Sequence, residues 1–326
     1  YPNSKSDMFS MFIERGFSWI CNLGYVSMVT MQSWMFLSSF EKMREQLLRD
    51  SAIECMAHMA NMVMGIAFGT SATVWKKYPI GSIRGAYCFI EYEDLDSNKP
   101  KRFPPQNERN QRAFKENNMD GFYRVSADDF QKIPGSPIAY WISDNFHNIL
   151  VKSDILVDFA EPKAGLATGD NNIFERFWVE VGISNIGFFC QSLKDTYTSK
   201  WYPCNSGGDF RKWYGNNEIV VNWFQDGKEI RQFRNNKGRI ASRAQNTQYY
   251  FKEGITWTKL SSGSFSARRR FPGFIFDDTG RSAFITNPQF SIDNLLGILC
   301  SKFALEVLKV YNPTMSFTSG DIERIP

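Results

Sequence analysis

Residues 24–59, GYVSMVTMQSWMFLSSFEKMREQLLRDSAIECMAHM, decide the fold of the first part of the chain. Tyr25–Thr30 form a short apolar run of the kind found in buried strands. Apolar residues repeat at helical spacing over Phe40–Leu48, and Ser51–His58 predict the next strand. A strand, a helix and a second strand in this order predict an α/β sheet of mostly parallel strands.

The same alternation continues on both sides of this stretch. Met8, Met11 and Phe12 follow Asp7 at helical spacing and predict a first helix. Ser71–Trp75 predict a further strand. We therefore predict an α/β domain over residues 1–90.

The remainder of the chain has a different character. Residues 91–136 contain an acidic cluster, a basic cluster, a proline pair and many Asn and Gln side chains, which predict a polar linker or a helical insertion. Residues 137–326 have short β-branched and aromatic runs between Gly, Asn and Ser clusters, with one late helix over Ile292–Tyr311. This last part is predicted to be an α+β domain.

Composition excludes several classes of protein. The six cysteines are scattered without a CxxC pair and the chain has two histidines, so neither a zinc site nor a disulfide framework is expected. No signal peptide or apolar run of membrane-spanning length is visible, which favours a cytoplasmic protein. Asp277 and Asp278 are adjacent and would point to opposite faces of a strand, which argues against a nuclease site.

Positive charge is concentrated in residues 228–270. This segment has eleven basic and two acidic side chains and carries +9, whereas the whole chain carries +4. Aromatic residues are interleaved with the cations: Tyr249, Tyr250, Phe251, Trp257, Phe265 and Phe271. Cations neutralise phosphates and aromatic rings contact bases, so the block predicts binding to double-stranded DNA, with a solvated basic surface as the alternative.

Several strings resemble the BREX phage-defence adenine methyltransferases (the PglX family) and the related type IIG restriction-modification enzymes. The resemblance extends over essentially the whole chain and rests on several strings together. They are YPNSKSDMFSMFIERG (1–16), GYVSMVTMQSWMFLSSFEKMR (24–44), MGIAFGTSATV (64–74), GLATGDN (165–171), GGDFRKWYGNN (207–217), YFKEGITW (250–257) and NPTMSFTSGDI (312–322).

This resemblance implies that residues 1–90 form the C-terminal half of a Rossmann-like class I methyltransferase sheet, and that residues 137–326 form a target-recognition domain. Members of the family transfer a methyl group from S-adenosylmethionine to N6 of adenine. A glycine-rich turn holds the methyl donor, and an Asn-Pro-Pro-Tyr motif orients the poorly nucleophilic amine. Both motifs precede the segment matching residues 1–16, and the proline pair in Phe103–Gln106 does not replace the second.

The expectation is therefore a piece of a longer enzyme. It has no catalytic residues, binds no cofactor of its own and is inactive in methyl transfer alone. The parent protein would use S-adenosylmethionine. The alternative is a non-catalytic module that recognises DNA or a partner protein, such as another component of the defence system. A restriction nuclease is disfavoured because no Pro-Asp…Glu-x-Lys pattern occurs.

One base-handling residue is expected in this piece. In the related enzymes an aromatic side chain from a loop between late strands lies against the flipped adenine, and Phe68 in GIAFGT (65–70) is the best match. The flanking glycines would let the loop approach a base closely. The alternative is that Phe68 packs under the sheet edge, whereas His58 is expected to be structural.

The candidate DNA-contacting residues are cations and small hydroxyl residues. Arg268–Arg270, which follow a serine-rich loop, are the strongest candidates. The loop of residues 165–171 fits either a phosphate contact or a plain turn. The full set is Lys163, Thr168, Arg211, Lys212, Arg231, Arg234, Arg239, Arg243, Lys259, Ser261, Ser262, Ser264, Arg268, Arg269 and Arg270.

Overall fold

The computed structural model describes residues 1–78, 83–96, 99–100, 122–261 and 264–326. They form a mixed α/β structure with several sheets, in two compact units, Tyr1–Ser153 and Asp154–Pro326. This division differs from the predicted boundary between residues 136 and 137, because Ile138 and Tyr140 lie in the core of the first unit. The functional roles assigned to the two parts stay predictions.

The first unit is built on a sheet with the strand order β1-β3-β2-β4-β7. Its strands are Tyr25–Met31 (β1), Ala52–Met59 (β2), Thr70–Lys76 (β3), Arg84–Ile90 (β4), Leu95–Asp96 (β5), Lys99–Pro100 (β6) and Phe122–Ser126 (β7). Its helices are Met8–Trp19 (α1), Glu41–Asp50 (α2), Ala127–Lys132 (α3) and Asp144–Lys152 (α4). β7 lies inside the predicted linker, of which residues 97–98 and 101–121 are outside the described residues.

Strand direction differs from the prediction of a mostly parallel sheet. In the described part of this sheet, β2 and β4 pair parallel, whereas β1–β3, β2–β3 and β4–β7 pair antiparallel. The reason is local: β3 follows β2 through a loop without a crossover helix, so the chain turns back. β1 and β2 are both antiparallel to β3 and hence parallel to each other, and α2 connects them.

The core of the first unit contains large aromatic side chains and one buried cation. Trp34, Trp75 and Phe36 are almost fully buried, and Met43 and Leu47 of α2 lie one turn apart and join the same cluster. Arg44, which lies between them on α2, is also buried. Its guanidinium donates hydrogen bonds to backbone carbonyls, including those of Trp34, Leu37 and Gly135.

The second unit contains two four-stranded sheets, ordered β14-β10-β11-β9 and β13-β12-β15-β8. Its strands are Ala160–Lys163 (β8), Glu175–Phe177 (β9), Trp201–Asn205 (β10), Ile219–Asn222 (β11), Gly254–Trp257 (β12), Ala267–Arg270 (β13), Ile275–Phe276 (β14) and Ser282–Ile285 (β15). Its helices are Asn171–Phe174 (α5), Phe224–Gln232 (α6), Ile292–Leu299 (α7), Lys302–Tyr311 (α8) and Ser319–Glu323 (α9). Tyr202, Trp223 and Phe276 lie in its core.

The late helix predicted over Ile292–Tyr311 is interrupted. α7 ends at Leu299, and α8 begins at Lys302 after Ser301, whose backbone is extended. The Ser301 hydroxyl accepts a hydrogen bond from the Ala304 amide at 3.1 Å, so it caps the second helix. The apolar residues keep helical spacing across this break, so the sequence pattern did not reveal that the helix is interrupted. Among the described residues, no helix combines the length and apolar character needed to cross a bilayer.

Candidate nucleic-acid interface

Phe68 lies in the loop of residues 60–69 between β2 and β3, here called the Phe68 loop. Its side chain is 46% exposed, and Met62, Met64 and Ile66 of the same loop are exposed as well. Gly65 has φ +71 and no atom within 4 Å of an added Cβ, so the loop tip is open. An exposed ring favours an external partner over packing beneath the sheet edge.

The Phe68 loop lies at the edge of the sheet where its parallel strands end. β1, β2 and β4 run in the same direction, and the Ala60 amide donates to the Ile90 carbonyl at 2.9 Å at the ends of β2 and β4. The Gln32 amide, just after β1, donates to the Gly69 carbonyl at 3.1 Å. Ligands of open α/β sheets bind at this carboxyl edge, which makes the edge a candidate site.

His58 is held inside the first unit beside this loop. Its Nε2 lies 2.5 Å from Gln32 Oε1, and its Nδ1 lies 2.9 Å from the Tyr140 hydroxyl. Burial lowers the pKa of His58 to about 4, so the ring is neutral near pH 7. These contacts agree with the expected structural role of His58. They also fix the Gln32 side chain, against which an added Cβ at Gly69 would clash at 2.5 Å.

Residues 233–241, here called the basic hairpin, present exposed cations from the second unit. The Ala241 amide donates to the Phe233 carbonyl at 3.0 Å and the Asn235 amide donates to the Arg239 carbonyl at 2.9 Å, which closes the loop. Arg234, Lys237 and Arg239 are exposed. Arg234 donates to the Gly238 carbonyl at 2.7 Å, and the other two cations project from the tip. Lys237 was not among the sequence candidates, although the charge count included it.

The structure brings the loop of residues 165–171 beside the basic hairpin. Ala167 and Arg243 exchange two backbone hydrogen bonds, at 2.7 and 3.0 Å, and the Arg243 side chain is exposed. Gly169 has φ +85, and an added Cβ would meet the backbone of Ala241 at 2.9 Å. Thr168 is buried and hydrogen-bonds to Asn171. Arg243 is therefore available to a ligand, whereas Thr168 is not.

The strongest sequence candidates occupy a different environment from the expected one. Arg268 and Arg270 on β13 are both 0% exposed. Arg270 donates to the backbone carbonyls of Tyr249, Lys252 and Phe274 and lies over two phenylalanine rings. Burial lowers the pKa of Arg270 to about 9 and that of Arg268 to about 10. Arg268 and Arg270 are therefore not placed to contact DNA, because their buried guanidinium groups have no access to a phosphate.

Arg269, between them, faces the other side of the strand. It forms ion pairs with Glu253 at 2.6 Å and Asp293 at 2.8 Å. The serine-rich loop before β13 is described in part: Ser264 is exposed, Ser261 is partly buried, and Ser262 lies outside the described residues. The three consecutive arginines therefore stabilise the unit through internal contacts.

Five further candidate cations also have partners within the protein. Lys163 pairs with Glu161 at 2.9 Å, Arg211 with Glu218 at 3.0 Å, Arg231 with Asp226 at 3.2 Å and Lys259 with Asp278 at 2.6 Å. Lys212 donates to the Cys300 carbonyl at 2.6 Å. These pairs are partly exposed, so a polyanion would compete with carboxylates for them.

Gly207 and Gly208 line a cavity of about 630 Å³ in the second unit, together with Arg211, Thr258 and Phe177 among others. Asp277 binds two residues that also line this cavity. Its buried carboxylate accepts hydrogen bonds from the Ser206 hydroxyl at 2.7 Å and from the Thr279 amide at 2.9 Å. Burial raises the pKa of Asp277. Across the described ranges, no group of three or more His, Cys, Asp or Glu side chains could hold a metal ion.

The exposed aromatic residues differ from those noticed in the sequence. Tyr250, Phe251, Trp257 and Phe265 of the basic segment are buried, whereas Phe271 is exposed. Within a predicted DNA loop, exposed rings are instead found at Phe210, Trp213 and Tyr214. Because Arg211 and Lys212 lie between Phe210 and Trp213, the string FRKWY combines cations and aromatic rings, the signal that could have identified them.

Comparison with known proteins first shows which class of protein the start of the chain is similar to. Residues 1–63 match the family model of the Eco57I restriction-modification methylase. The match covers the strand-helix-strand segment and the start of the Phe68 loop.

Two particular relatives match the entire chain. The adenine-specific methyltransferase PglX of Lacticaseibacillus casei (strain Zhang) is 37% identical over 336 residues, covering 100% of this chain and 27% of the relative. The adenine-specific methyltransferase BrxX of Escherichia coli O9:H4 (strain HS) is 36% identical over 332 residues, covering 100% and 25%. The chain thus spans about a quarter of the length of these relatives. The predicted resemblance to the PglX family is confirmed over the whole chain.

A solved structure of the type IIL restriction-modification enzyme MmeI in complex with DNA is similar at a lower level. Its TM-score is 0.48 with 9% sequence identity, covering 90% of this chain and 37% of that one. The ATP-dependent type ISP enzyme LlaBIII bound to DNA has a TM-score of 0.43 with 12% identity, covering 96% and 25%.

Proposed function

We propose that the chain is part of an S-adenosylmethionine-dependent DNA adenine-N6 methyltransferase of a phage-defence or restriction-modification system. In this proposal it contributes the last strands of the catalytic sheet and the region that recognises the DNA target. The observation that carries the proposal is the 37% identity to PglX across 100% of this chain. Cytoplasmic DNA is the substrate expected for such an enzyme.

The first unit supports the catalytic part of this proposal. β1, α2 and β2 form a strand-helix-strand crossover, and the Phe68 loop lies at the carboxyl edge of the sheet. An adenine extruded from the duplex needs a flat apolar surface to replace the stacking that it gives up. The exposed Phe68 ring offers such a surface on a loop fixed at its base by Gln32.

The residues present do not fit an S-adenosylmethionine site. Among the described residues, β1 follows helix α1 and no glycine-rich turn lies between a first strand and a helix. The sequence also has no Asn-Pro-Pro-Tyr motif to hold the target amine. The chain by itself would therefore not transfer methyl groups, and the missing groups would come from other parts of the parent protein.

The second unit supports the recognition part. The basic hairpin and Arg243 place exposed cations close together, and the hairpin's side chains at Lys237 and Arg239 have no carboxylate partner among the described residues. Such cations bind phosphates and release counterions, which gives affinity that falls steeply with salt. The unit would hold the duplex while the parent enzyme acts on the extruded base.

The proposal is tested with the full-length gene. Methylome sequencing of a host carrying it should reveal N6-methyladenine at one recurrent sequence. With the purified enzyme, Phe68→Ala should weaken binding to a duplex that carries 2-aminopurine in place of the target adenine by about tenfold, because the ring that stacks on the base is removed. Ile66→Ala, in the same exposed loop, is the matched control. A methylome without modified adenine would contradict the enzymatic role.

A second candidate is a non-catalytic module that recognises DNA or another protein of the defence system. The sequence of the intact gene distinguishes the two, because an enzyme must encode the glycine-rich turn and this motif upstream of the segment described.

A further inference from the structure

The loop of residues 207–217, here called the aromatic loop, is held firmly in the second unit. The Trp213 amide donates to the Ala267 carbonyl at 3.0 Å, and the Arg269 amide donates to the Trp213 carbonyl at 2.9 Å, so the loop is attached to β13 on both sides of one residue. The Asn216 side chain donates to the Asp209 carbonyl at 3.0 Å. The loop therefore has a defined shape before any ligand binds.

This firmly held loop presents aromatic rings to solvent. Trp213 is 54% exposed, Tyr214 is 65% exposed and Phe210 is exposed as well. Trp213 has φ +75, a backbone conformation that non-glycine residues rarely adopt. The Tyr214 ring lies 6.1 Å from that of Phe271, which is also exposed and extends the apolar surface. Large rings held rigidly in water are characteristic of binding surfaces, since association costs them little side-chain entropy.

The cations around these rings already have partners within the protein, which limits the groups that the loop can use to bind a ligand. Arg211 contacts Glu218, Lys212 contacts the Cys300 carbonyl and Arg269 contacts two carboxylates. The unused binding capacity at this place is therefore the faces of the rings. The same unit also presents exposed cations at Arg234, Lys237, Arg239 and Arg243, and these favour a polyanion as its ligand.

A polyanion that also has flat aromatic groups is a nucleic acid. We propose that Trp213 and Tyr214 stack on nucleobases of the bound DNA, at a base step that they open or on a base already unstacked. The proposal rests on DNA binding by the second unit, as proposed above. It adds a contact to bases at a place distinct from the phosphate-binding cations of the basic hairpin.

The test measures binding of the chain to fluorescently labelled duplexes at several salt concentrations. Trp213→Ala should weaken binding about tenfold, whereas Trp213→Phe should retain most of the affinity because it keeps a ring. The slope of affinity against salt should stay unchanged in both variants, because every cation that binds a phosphate is still present. Trp178→Ala is the matched control, since Trp178 is a comparably exposed tryptophan of the same unit.

A second readout reports stacking directly. 2-Aminopurine placed along the duplex should be quenched by the wild-type chain at one position and not by the Trp213→Ala variant. Circular dichroism and the unfolding midpoint verify that each variant is folded.

The proposal is overturned if folded Trp213→Ala binds like the wild type, or if it weakens binding no more than Trp178→Ala. Normal DNA binding by Trp213→Ala with loss of a protein partner would also overturn it, and would identify the loop as a protein-binding surface. In these cases salt-dependent binding through the basic hairpin still supports the proposed function. If the wild-type chain binds no duplex, DNA binding by the second unit fails together with this proposal.

Discussion

The basic hairpin and strand β13 come from the same positively charged segment but have opposite environments. In the basic hairpin, Arg234, Lys237 and Arg239 are exposed, whereas Arg268 and Arg270 on β13 are completely buried. A positively charged stretch of sequence forms a positively charged surface only where its side chains are exposed to solvent. On β13 the alternation of a strand turns two of three consecutive arginines inward, where carbonyls and aromatic rings replace water.

The largest expected effect is on stability, from removing one of the buried arginines. Arg270→Ala leaves three backbone carbonyls without their donor and opens a cavity between Phe276 and Phe284. We expect the free energy of unfolding to fall by about 3 kcal/mol or more. Urea denaturation of the chain measures it.

Arg239→Ala is the control for this experiment, because its side chain is exposed at the tip of the basic hairpin. It should change stability by no more than about 0.5 kcal/mol. Equal effects at the two positions would remove the distinction between the two regions.

The next effect is on DNA binding. Replacing Arg234, Lys237 and Arg239 together with alanine should weaken binding to duplex DNA by about 10- to 100-fold at low salt. The slope of log affinity against log salt should decrease by about 3, roughly one for each cation that no longer neutralises a phosphate. Fluorescence anisotropy over a series of salt concentrations measures both. Replacing Lys302 and Lys309 of α8 provides a control with cations outside the hairpin, and a similar loss of affinity there would show that any cation suffices.

The smallest expected effect is on the pH dependence of stability, and it comes from a partly buried carboxylate. Burial and the nearby Asp277 raise the pKa of Glu175 on β9 to about 7. A raised pKa means that the folded unit binds this proton more tightly than the unfolded chain, so the contribution of Glu175 to stability is most favourable below about pH 4.5 and becomes less favourable as the pH rises to about 7. Glu175→Gln should remove this dependence and stabilise the chain at pH 8 by about 1–2 kcal/mol, allowing for the partial exposure of the group.

Thermal unfolding followed at pH 5, 6, 7 and 8 measures this difference. Glu180→Gln, at a surface position in the same region, should leave the pH profile of the wild type unchanged. A wild-type profile that is flat between pH 5 and 7 would contradict the assignment.

The sequence predicted elements whose signal is local. Tyr25–Met31, Glu41–Asp50 and Ala52–Met59 agree closely with the predicted strand, helix and strand, because apolar spacing reports the face that each element buries. The direction of β3 could not be obtained in this way, since Ser71–Trp75 would have the same pattern in either direction. The capping role of Ser301 was visible only once its hydroxyl was seen beside the Ala304 amide.

The candidate site was predictable to a smaller degree. Phe68 was predicted to contact a base through family resemblance alone; its ring is exposed, and the contact stays a prediction. Whether a cation is available to a ligand depends on partners that are distant in sequence. Lys259 pairs with Asp278 and Arg269 pairs with Asp293, and no local sequence pattern reveals these pairs. A basic segment by itself therefore does not identify which of its cations remain exposed to a ligand.

The position of β3 between β1 and β2 determines the order in which the first unit can fold. β1 and β2 share no hydrogen bonds with each other, and each pairs with β3. The strand-helix-strand segment that precedes β3 therefore cannot close its own ladder when it emerges from the ribosome. Residues up to Lys76 must be available before the two earlier strands are joined, so this part of the sheet assembles late and depends on distant contacts that slow folding.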